Sequence, residues 1–288
     1  GEEGAFGSLH KWYRSIFIEH RYMDKTSVEQ ELGNGISVVI NTYNASCHLQ
    51  QVLDTVKGFD EVVVCDMEST DDTLDIAKRN GCKIVVFPRG SYQICEPARQ
   101  TAIDAASCKW VLVVDADELV TPALKQYLYS LIGKEDAPLG LYVPRKSRFM
   151  GRFMHCFYPD YQLRFFIRKD TVWPAVIHAD PIIKGRIEKI PATHADMALV
   201  HLADDSIASR MGKINQYTAN EIEKKKDRNY GMAALFYRPL VRFFRAYIQK
   251  GGFRDGKEGF VCACYEGIYQ FVAVSKIIED RLKHKKGK

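Results

Sequence analysis

The stretch Trp110-Val-Leu-Val-Val-Asp-Ala-Asp-Glu118 joins a run of apolar residues directly to three acids. The apolar run is rich in β-branched residues and predicts a strand that is buried on both faces. The acids then lie at the carboxyl end of that strand, where open α/β sheets bind their ligands. Asp115 and Asp117 are two residues apart, so on a regular strand both side chains point to the same side. Neighbouring carboxylates repel each other unless a cation lies between them, and oxygen ligands suit Mg²⁺ or Mn²⁺.

The same acids also fit a simpler interpretation. Thr121-Pro122 has the pattern of an N-cap followed by the first residue of a helix, so the acids could form an ordinary turn before that helix. Asp-x-Asp is a common pattern, and alone it does not decide between this turn and a metal site that bridges to a substrate diphosphate.

Strand and helix patterns alternate before this stretch. Buried strands are predicted at 36–40, 61–65 and 83–87, and helices at 46–57, 70–80 and 96–107. Ser69 and Asp72 have a spacing like that of a capping box at the start of the second helix. The βαβαβαβ order with short loops predicts a mostly parallel sheet with helices on both faces. After Pro138, the strand-like segments at 141–144 and 162–167 suggest antiparallel pairing.

Composition and missing motifs narrow the class of protein. The 288 residues, with 46% apolar and 27% charged side chains, fit a globular protein with one large α/β domain and an appendage. Neither the dinucleotide motif Gly-x-Gly-x-x-Gly nor a P-loop motif occurs. The eight cysteines include no Cys-x-x-Cys pair, and no signal-peptide pattern occurs, which predicts reduced thiols in a cytosolic protein.

The chain resembles a family 2 glycosyltransferase of the GT-A fold in three motifs that occur in order: Ile36-Ser-Val-Val-Ile-Asn-Thr-Tyr-Asn44, Glu61-Val-Val-Val-Cys-Asp-Met-Glu-Ser-Thr-Asp-Asp-Thr73 and Val113-Val-Asp-Ala-Asp-Glu118. It resembles the subgroup with lipopolysaccharide-core β-glucosyltransferases in three later motifs: Tyr158-Pro-Asp-Tyr-Gln-Leu-Arg-Phe-Phe166, Arg238-Pro-Leu-Val-Arg-Phe-Phe244 and Lys250-Gly-Gly-Phe-Arg-Asp-Gly256. The resemblance runs from about residue 35 to about residue 275.

This resemblance implies the α/β GT-A (nucleotide-diphospho-sugar transferase) fold with a C-terminal helical appendage. The domains would be an N-terminal extension at 1–34, a catalytic domain at 35–205 and a basic, amphipathic helical tail at 206–288. The enzyme would be an inverting transferase that needs Mg²⁺ or Mn²⁺. It would move a sugar from a nucleoside-diphosphate sugar, most simply a UDP-hexose, to a hydroxyl of a glycan or lipid-linked acceptor in cell-envelope synthesis.

The resemblance also implies site residues. The base and ribose of the nucleotide would contact four residues that follow the first two strands: Thr42, Tyr43, Asn44 and Asp66. Arg99 would lie near the diphosphate, and Asp115 would bind both the nucleotide sugar and the metal together with Asp117. His201 resembles the histidine that often completes this metal site, although a lone histidine is more often structural. Asp160 and Asp180 are both candidates for the catalytic base, and the sequence does not decide between them.

The tail differs in charge from the rest of the chain. Residues 206–288 contain 18 Lys and Arg against 8 Asp and Glu, whereas the remainder contains 23 against 28. Helices are predicted at 206–226 and 231–250, and the 15 apolar residues from Phe260 to Val274 are fewer than the ~20 that span a bilayer. Arginines 238, 242 and 245 among aromatic residues indicate peripheral contact with the anionic inner face of the cytoplasmic membrane. A helical cap on the catalytic domain is the alternative.

Two other functions would use part of the same pattern. A sugar-nucleotide nucleotidyltransferase also combines an α/β sheet with a metal, but it usually has a Gly-rich, basic loop after the first strand, which Asn41-Thr-Tyr-Asn44 lacks. A degenerate, membrane-attached scaffold would not need the intact Asp115 and Asp117. None of these functions involves a nucleic-acid partner.

Overall fold

The computed structural model describes residues 33–286 apart from 93, 176–178, 226–227 and 229. The predicted extension at 1–34 therefore lies almost entirely outside the described residues.

The first half of the chain alternates strands and helices as predicted. Its elements are β1 (Ile36–Thr42), α1 (Ser46–Val56), β2 (Glu61–Asp66), α2 (Thr73–Arg79), β3 (Lys83–Val86), α3 (Glu96–Asp104), β4 (Trp110–Asp115), β5 (Glu118–Leu119) and α4 (Pro122–Ile132). β3, β2, β1 and β4 are neighbours in that order and pair in parallel. The carboxyl ends of β1 and β4 therefore lie side by side, with Asn41 opposite Asp115.

The second half extends this sheet with strands of both directions. Its strands are β6 (Gly140–Phe149), β7 (Arg152–Phe153), β8 (Asp160–Ile167), β9 (Ile187–Lys189) and β10 (Leu199–Asp205). β8 pairs antiparallel with both β4 and β6, and β10 pairs parallel with β6 and antiparallel with β5. The complete sheet is mixed, and its path runs β3-β2-β1-β4-β8-β6-β10-β5.

The central strand β4 is buried on both faces, as its apolar run predicts. Leu112 and Val114 pack with α1 and α4, whereas Val111 and Val113 pack with α3 on the other face. All four side chains are completely buried. Burial of aliphatic side chains of this size contributes about 1.5–3 kcal/mol each, so β4 holds the two helical layers together.

The predicted start of α4 is confirmed, whereas the predicted start of α2 is not. The hydroxyl of Thr121 accepts a hydrogen bond from the Leu124 amide at 3.2 Å, which confirms the predicted N-cap of α4. The predicted capping box at α2 is wrong, since Asp72 makes no side-chain cap bond. Ser69 instead donates its hydroxyl proton to Asp66 at 2.6 Å, because a buried carboxylate is the stronger acceptor.

The tail is helical and packs against the α/β part of the chain. It contains α5 (Ile207–Lys225), α6 (Ala234–Phe244), a π-helical turn (Arg245–Gln249), a 3₁₀ turn (Gly252–Asp255) and α7 (Gly256–Lys286). The buried carboxylate of Asp255 accepts hydrogen bonds from the amides of His155 and Cys156 at 2.7 and 3.0 Å. These charge-assisted bonds, together with Cys262 packed on Phe149, fix the start of α7 to the α/β part.

The apolar segment at 260–274 belongs to α7, whose 31 residues are about twice the length of that segment. Among the described residues, 252–283 is the helical segment that is long and apolar enough to cross a bilayer. Length and composition are weak evidence, because a buried helix of a soluble protein passes the same test. Five side chains of α7 are buried inside the protein: Cys262, Ala263, Ala273, Val274 and Ile277. Four large apolar side chains of the same helix are exposed: Phe260, Ile268, Phe271 and Leu282.

Candidate active site

A cavity of about 560 Å³ opens at the carboxyl ends of β1 and β4. We call it the nucleotide cavity, after the ligand that the family resemblance predicts. It brings together six of the predicted site residues: Tyr43, Asn44, Arg99, Asp115, Asp117 and His201. They come together because β1 and β4 are adjacent parallel strands, so the loops that follow them meet at the same edge of the sheet.

Thr42 and Asp66 lie behind this cavity, not on its wall. The carboxylate of Asp66 is fully buried and accepts hydrogen bonds from the Thr42 hydroxyl at 2.7 Å and from the Ser69 amide at 2.8 Å. The Ser69 hydroxyl in turn accepts a hydrogen bond from the Asn44 amide at 2.8 Å. Through these bonds Thr42 and Asp66 fix the loop that carries Tyr43 and Asn44, and their predicted contact with a nucleotide stays a prediction.

The carboxylate of Asp115 is held between two buried arginines. It accepts a hydrogen bond from Arg99 Nη2 at 2.8 Å and is also bonded by both terminal nitrogens of Arg164. Burial raises the pKa of Asp115, but the charges of Arg164 and Arg99 outweigh it and hold that pKa well below its usual range. Asp115 is therefore ionised and fixed in orientation at any ordinary pH.

Arg164 and Glu118 are site residues that the sequence reasoning missed. Glu118 is completely buried and accepts hydrogen bonds from the Asp115 amide at 3.1 Å and from Arg145 at 3.0 Å. Arg164 is buried in the middle of the apolar strand β8. A buried arginine requires a buried acid, so an arginine inside an apolar strand was the available signal.

Asp117 and His201 form the second charged pair of the site. Nε2 of His201 lies 3.2 Å from Oδ2 of Asp117. The contact depends on the short strand β5, because Glu118 pairs with His201 and the Leu202 amide donates to the Asp117 carbonyl at 2.8 Å. Burial lowers the pKa of His201, but the hydrogen bond and charge of Asp117 raise it more, so the net shift is upward.

The donor set at this position fits a metal that is shared with a substrate. Among the residues that the structure describes, no three His, Cys, Asp or Glu side chains are grouped as metal ligands. Asp117 and His201 offer a carboxylate oxygen and an imidazole nitrogen, whereas Asp115 is occupied by its arginines. Mg²⁺ sites commonly take one or two protein carboxylates and complete their coordination with water and substrate phosphates.

Unpaired polar atoms on the cavity wall also point to a ligand. Asn41 lines the cavity, and its side-chain oxygen and nitrogen are both buried without a hydrogen-bond partner. Nε and Nη1 of Arg99 are also buried without a hydrogen-bond partner. Buried polar groups are normally hydrogen-bonded, so these atoms are suited to a polar molecule in the cavity. Asn41 was missed because the sequence reasoning assigned it only to a turn.

A flat platform forms one side of the cavity. The guanidinium of Arg89 lies over the ring of Tyr43, 3.6 Å from the ring centroid. Arginine and tyrosine planes both stack on nucleobases, so this pair offers a surface for the base of a nucleotide. Tyr43 was predicted to contact the base, whereas Arg89 was not singled out.

A second cavity of about 680 Å³ adjoins the first, and His201 lines both. We call it the acceptor cavity, after the molecule whose proton the predicted base Asp160 would take. Asp160 lines it, and its Oδ2 accepts two hydrogen bonds from Arg145, at 2.6 Å from Nη2 and 2.9 Å from Nε. The pairing of β6 with β8 sets this contact, because Arg145 and Asp160 are directly opposite in register.

Asp180 lies elsewhere. Its carboxylate is exposed and accepts a hydrogen bond from the Tyr142 hydroxyl at 2.7 Å. Tyr142 and Arg145 are three residues apart on β6, so their side chains leave the sheet on opposite sides. Asp160 thus lines the same cavity as His201, whereas Asp180 lines neither cavity.

Comparison with known families decides the class. The family described as "Glycosyl transferase family 2" matches residues 37–180, which is half of the chain and contains β1 to β8. The chain belongs to glycosyl transferase family 2. The predicted resemblance and the transferase activity that it implied are confirmed at this level.

Relatives of this family 2 enzyme extend the similarity along the chain. An uncharacterized glycosyltransferase of Rickettsia conorii is 26% identical over 278 residues, which cover 90% of this chain and 95% of that protein. The lipopolysaccharide core biosynthesis glycosyltransferase LpsC of Rhizobium meliloti is 22% identical over 258 residues, or 85% and 92% of the two chains. At this coverage both similarities extend well beyond residues 37–180.

A solved structure supports the fold. The mannosyltransferase PcManGT from Pyrobaculum calidifontis, determined in complex with GDP-Man and Mn²⁺, superposes with a TM-score of 0.51 over 96% of both chains at 15% identity. At this identity the likeness concerns the fold alone. It confirms the predicted α/β GT-A fold with its C-terminal helices.

Proposed function

We propose that this family 2 enzyme is a metal-dependent, inverting glycosyltransferase. Its donor is a nucleoside-diphosphate sugar, specifically a UDP-hexose, and its acceptor is a hydroxyl of a glycan or lipid-linked molecule in cell-envelope polysaccharide or lipopolysaccharide synthesis. The observation that carries the proposal is the meeting of two cavities at His201. One contains unpaired polar atoms and the Asp117–His201 pair, and the other contains Asp160.

The nucleotide cavity suits the donor. The base stacks on the platform of Tyr43 and Arg89, and the amide of Asn41 gains hydrogen-bond partners from the polar atoms of the nucleotide. Asp117 and His201 would hold Mg²⁺ or Mn²⁺, which supplies a positive charge that offsets the charge growing on the leaving diphosphate. The PcManGT complex contains a sugar nucleotide and Mn²⁺, which agrees with this assignment.

Asp160 is the catalytic base in this proposal. It takes the proton from the acceptor hydroxyl as that oxygen attacks the anomeric carbon, on the side opposite the diphosphate, so the configuration inverts. Its two hydrogen bonds from Arg145 hold the carboxylate in one orientation. Asp180 is the alternative base, but its bond to Tyr142 directs it to another part of the sheet.

Turnover of a panel of sugar nucleotides tests the function. The purified enzyme is incubated with each sugar nucleotide, with Mg²⁺ or Mn²⁺, and with core-oligosaccharide or lipid-linked acceptors. Release of a nucleoside diphosphate that depends on both metal and acceptor supports the proposal. Release of pyrophosphate from a nucleoside triphosphate and a sugar phosphate would indicate a nucleotidyltransferase. Failure of UDP to bind in calorimetry, with or without Mn²⁺, would indicate a scaffold.

We also propose that the tail attaches the enzyme to the anionic cytoplasmic face of a membrane. A ridge of large apolar side chains, each more than half exposed, runs along α6 and the π-helical turn: Phe236, Leu240, Val241, Phe244 and Ile248. Exposed Arg245 adjoins this ridge, and the tail has a net positive charge of ten. An anionic bilayer matches both the apolar ridge and this charge.

The structure revises the part that the predicted arginines play in this contact. Nε of Arg242 donates to Glu266 at 2.8 Å, and Nε of Arg238 donates to Gln270 at 3.1 Å. Both bonds join α6 to α7, so these two arginines stabilise the helical unit. Arg245 is the member of the predicted trio that is exposed beside the ridge.

The double change Leu240→Gln and Phe244→Gln is expected to weaken binding to phosphatidylglycerol-containing vesicles by about tenfold or more. Moving two half-exposed side chains of this size out of water contributes about 2 kcal/mol together, and 1.4 kcal/mol corresponds to a factor of ten. Co-sedimentation at low salt measures the effect. Val86→Gln with Ile182→Gln removes two equally exposed apolar side chains outside the tail and should change little. If the intact protein ignores these vesicles, the ridge does not contact a membrane.

A further inference from the structure

The acceptor cavity is strongly basic. The charged side chains that line it, among those that the structure describes, are one carboxylate, one shared histidine and five cations: Asp160, His201, Arg145, Arg148, Arg210, Lys213 and Lys250. Neutral sugars are bound by amides, carboxylates and aromatic rings, and they do not compensate an excess of positive charge in a cavity. The positive charge of this cavity therefore indicates an anionic ligand.

One of the five cations is already balanced inside the protein. Arg145 lies 3.0 Å from Glu118 and 2.6 Å from Asp160, so these two acids neutralise its charge. In the same pairing, Arg145 neutralises the charge of Asp160. Excess positive charge comes from three other cations, which are carried by β6, by α5 and by the segment after the π-helical turn: Arg148, Arg210 and Lys250.

Arg148 is the clearest of them. Its guanidinium lies 4.5 Å from the ring centroid of Phe153, and its Nε is buried without a hydrogen-bond partner. No carboxylate in the described part of the chain forms an ion pair with it. A half-buried arginine with an unsatisfied donor, on the wall of a cavity, is suited to an anionic oxygen from outside the protein.

Arg210 is fixed in place on the same wall. Its guanidinium lies 4.7, 5.3 and 6.0 Å from the ring centroids of Phe149, Phe157 and Tyr265. The one described acid near it is Glu266 at 4.0 Å, and Glu266 is held more closely by Arg242 at 2.8 Å. Because three rings restrain Arg210, its hydrogen-bonding nitrogens are ordered before a ligand binds.

Within the proposed transferase function, on which this step rests, we propose that the acceptor carries a phosphate ester near the hydroxyl that is glycosylated. Arg148, Arg210 and Lys250 bind that phosphate. Cations that approach from three different elements suit a tetrahedral group of charge near −2 better than a planar carboxylate, and arginine binds phosphate oxygens in pairs. Asp160 lines the same cavity, so one acceptor can reach the base and the cations together.

Calorimetric titration with inorganic phosphate tests the site in the full-length protein. Saturating UDP is present throughout, so that the nucleotide cavity is filled. We expect phosphate to bind the wild type and to bind Arg148→Gln/Lys250→Gln at least tenfold more weakly, with a further loss as salt rises. The control Arg79→Gln/Lys169→Gln removes the same charge from exposed positions outside both cavities and should bind phosphate normally.

Two further probes separate the sources of the phosphate. Preferential binding of glucose 6-phosphate indicates a phosphorylated glycan, and preferential binding of vesicles that contain phosphatidic acid indicates a lipid phosphate. Either preference supports the site if the Arg148→Gln/Lys250→Gln protein loses it and the control keeps it. Equal phosphate binding by all three proteins, or none by the wild type, overturns the proposal. UDP binding is measured separately, so a wild type that binds phosphate but not UDP would refute the proposed use of a UDP-linked donor and leave the phosphate site standing.

Discussion

We expect Asp117→Asn to lower turnover by about 10³-fold or more. Asparagine keeps the size of the side chain and can still hydrogen-bond to His201, but a neutral amide is a poorer ligand for a hard divalent cation. A catalytic metal contributes several kcal/mol to the transition state, and each 1.36 kcal/mol corresponds to a factor of ten in rate. The measurement is release of nucleoside diphosphate at ordinary Mg²⁺ and Mn²⁺ concentrations.

The matched control for this variant is Asp136→Asn, which makes the same change at an exposed position outside both cavities. It should keep full activity, and both variants should unfold at nearly the wild-type temperature. Asp115→Asn would be a less informative test, because it leaves the buried Arg99 and Arg164 without their carboxylate and so disturbs folding. If Asp117→Asn turned over at close to the wild-type rate, the assignment of a catalytic metal to this site would be wrong.

The fold of the first half could be predicted because each of its elements is specified locally. The apolar run that ends at Asp115 determines a doubly buried strand, and Thr121-Pro122 marks the start of α4. The order of strands and helices then places the loops after β1 and β4 at one edge of the sheet. For this reason Tyr43, Arg99, Asp115 and Asp117 could be assigned to one cavity from the sequence and its family resemblance.

The contacts between site residues could not be predicted in the same way. β5 contains two residues and has no period of its own, yet its pairing with β10 brings His201 to Asp117. The neutralisation of Asp115 depends on Arg164, which comes from an antiparallel strand added after the parallel half. Such contacts depend on which strands pair in the folded chain. The sequence therefore indicated which residues belong to the site, but not the hydrogen bonds and ion pairs among them.

The same reasoning explains why some charged residues have partners inside the protein that the sequence did not indicate. Asp66 is an acid at the end of a strand, which is the pattern of a ligand-binding residue, and its carboxylate oxygens accept hydrogen bonds from Thr42 and Ser69. Arg242 lies among aromatic residues, which is the pattern of a membrane-facing arginine, but Glu266 on α7 occupies it. A charged residue near a predicted surface is free for a ligand only if no partner from another element reaches it first.

The second large effect is expected when the proposed catalytic base is replaced. Asp160→Asn is expected to lower kcat by about 10²-fold or more with little change in UDP affinity, because the amide cannot accept the proton of the acceptor hydroxyl. Arg145 keeps its bond to Glu118 in this variant, so the wall of the acceptor cavity should stay in place. Asp180→Asn should remain close to the wild type, because its carboxylate contacts Tyr142 away from His201.

Single-turnover rates, UDP affinity and the pH dependence of kcat are measured for both variants. Loss of the acidic limb of the pH profile in Asp160→Asn identifies a titrating base, whereas an unchanged profile with a lower rate indicates that Asp160 only positions Arg145. A large loss in Asp180→Asn alone would transfer the assignment to Asp180. Full activity in both variants would mean that neither carboxylate accepts the proton, and that the base belongs to a residue outside the segment from Tyr158 to Asp180.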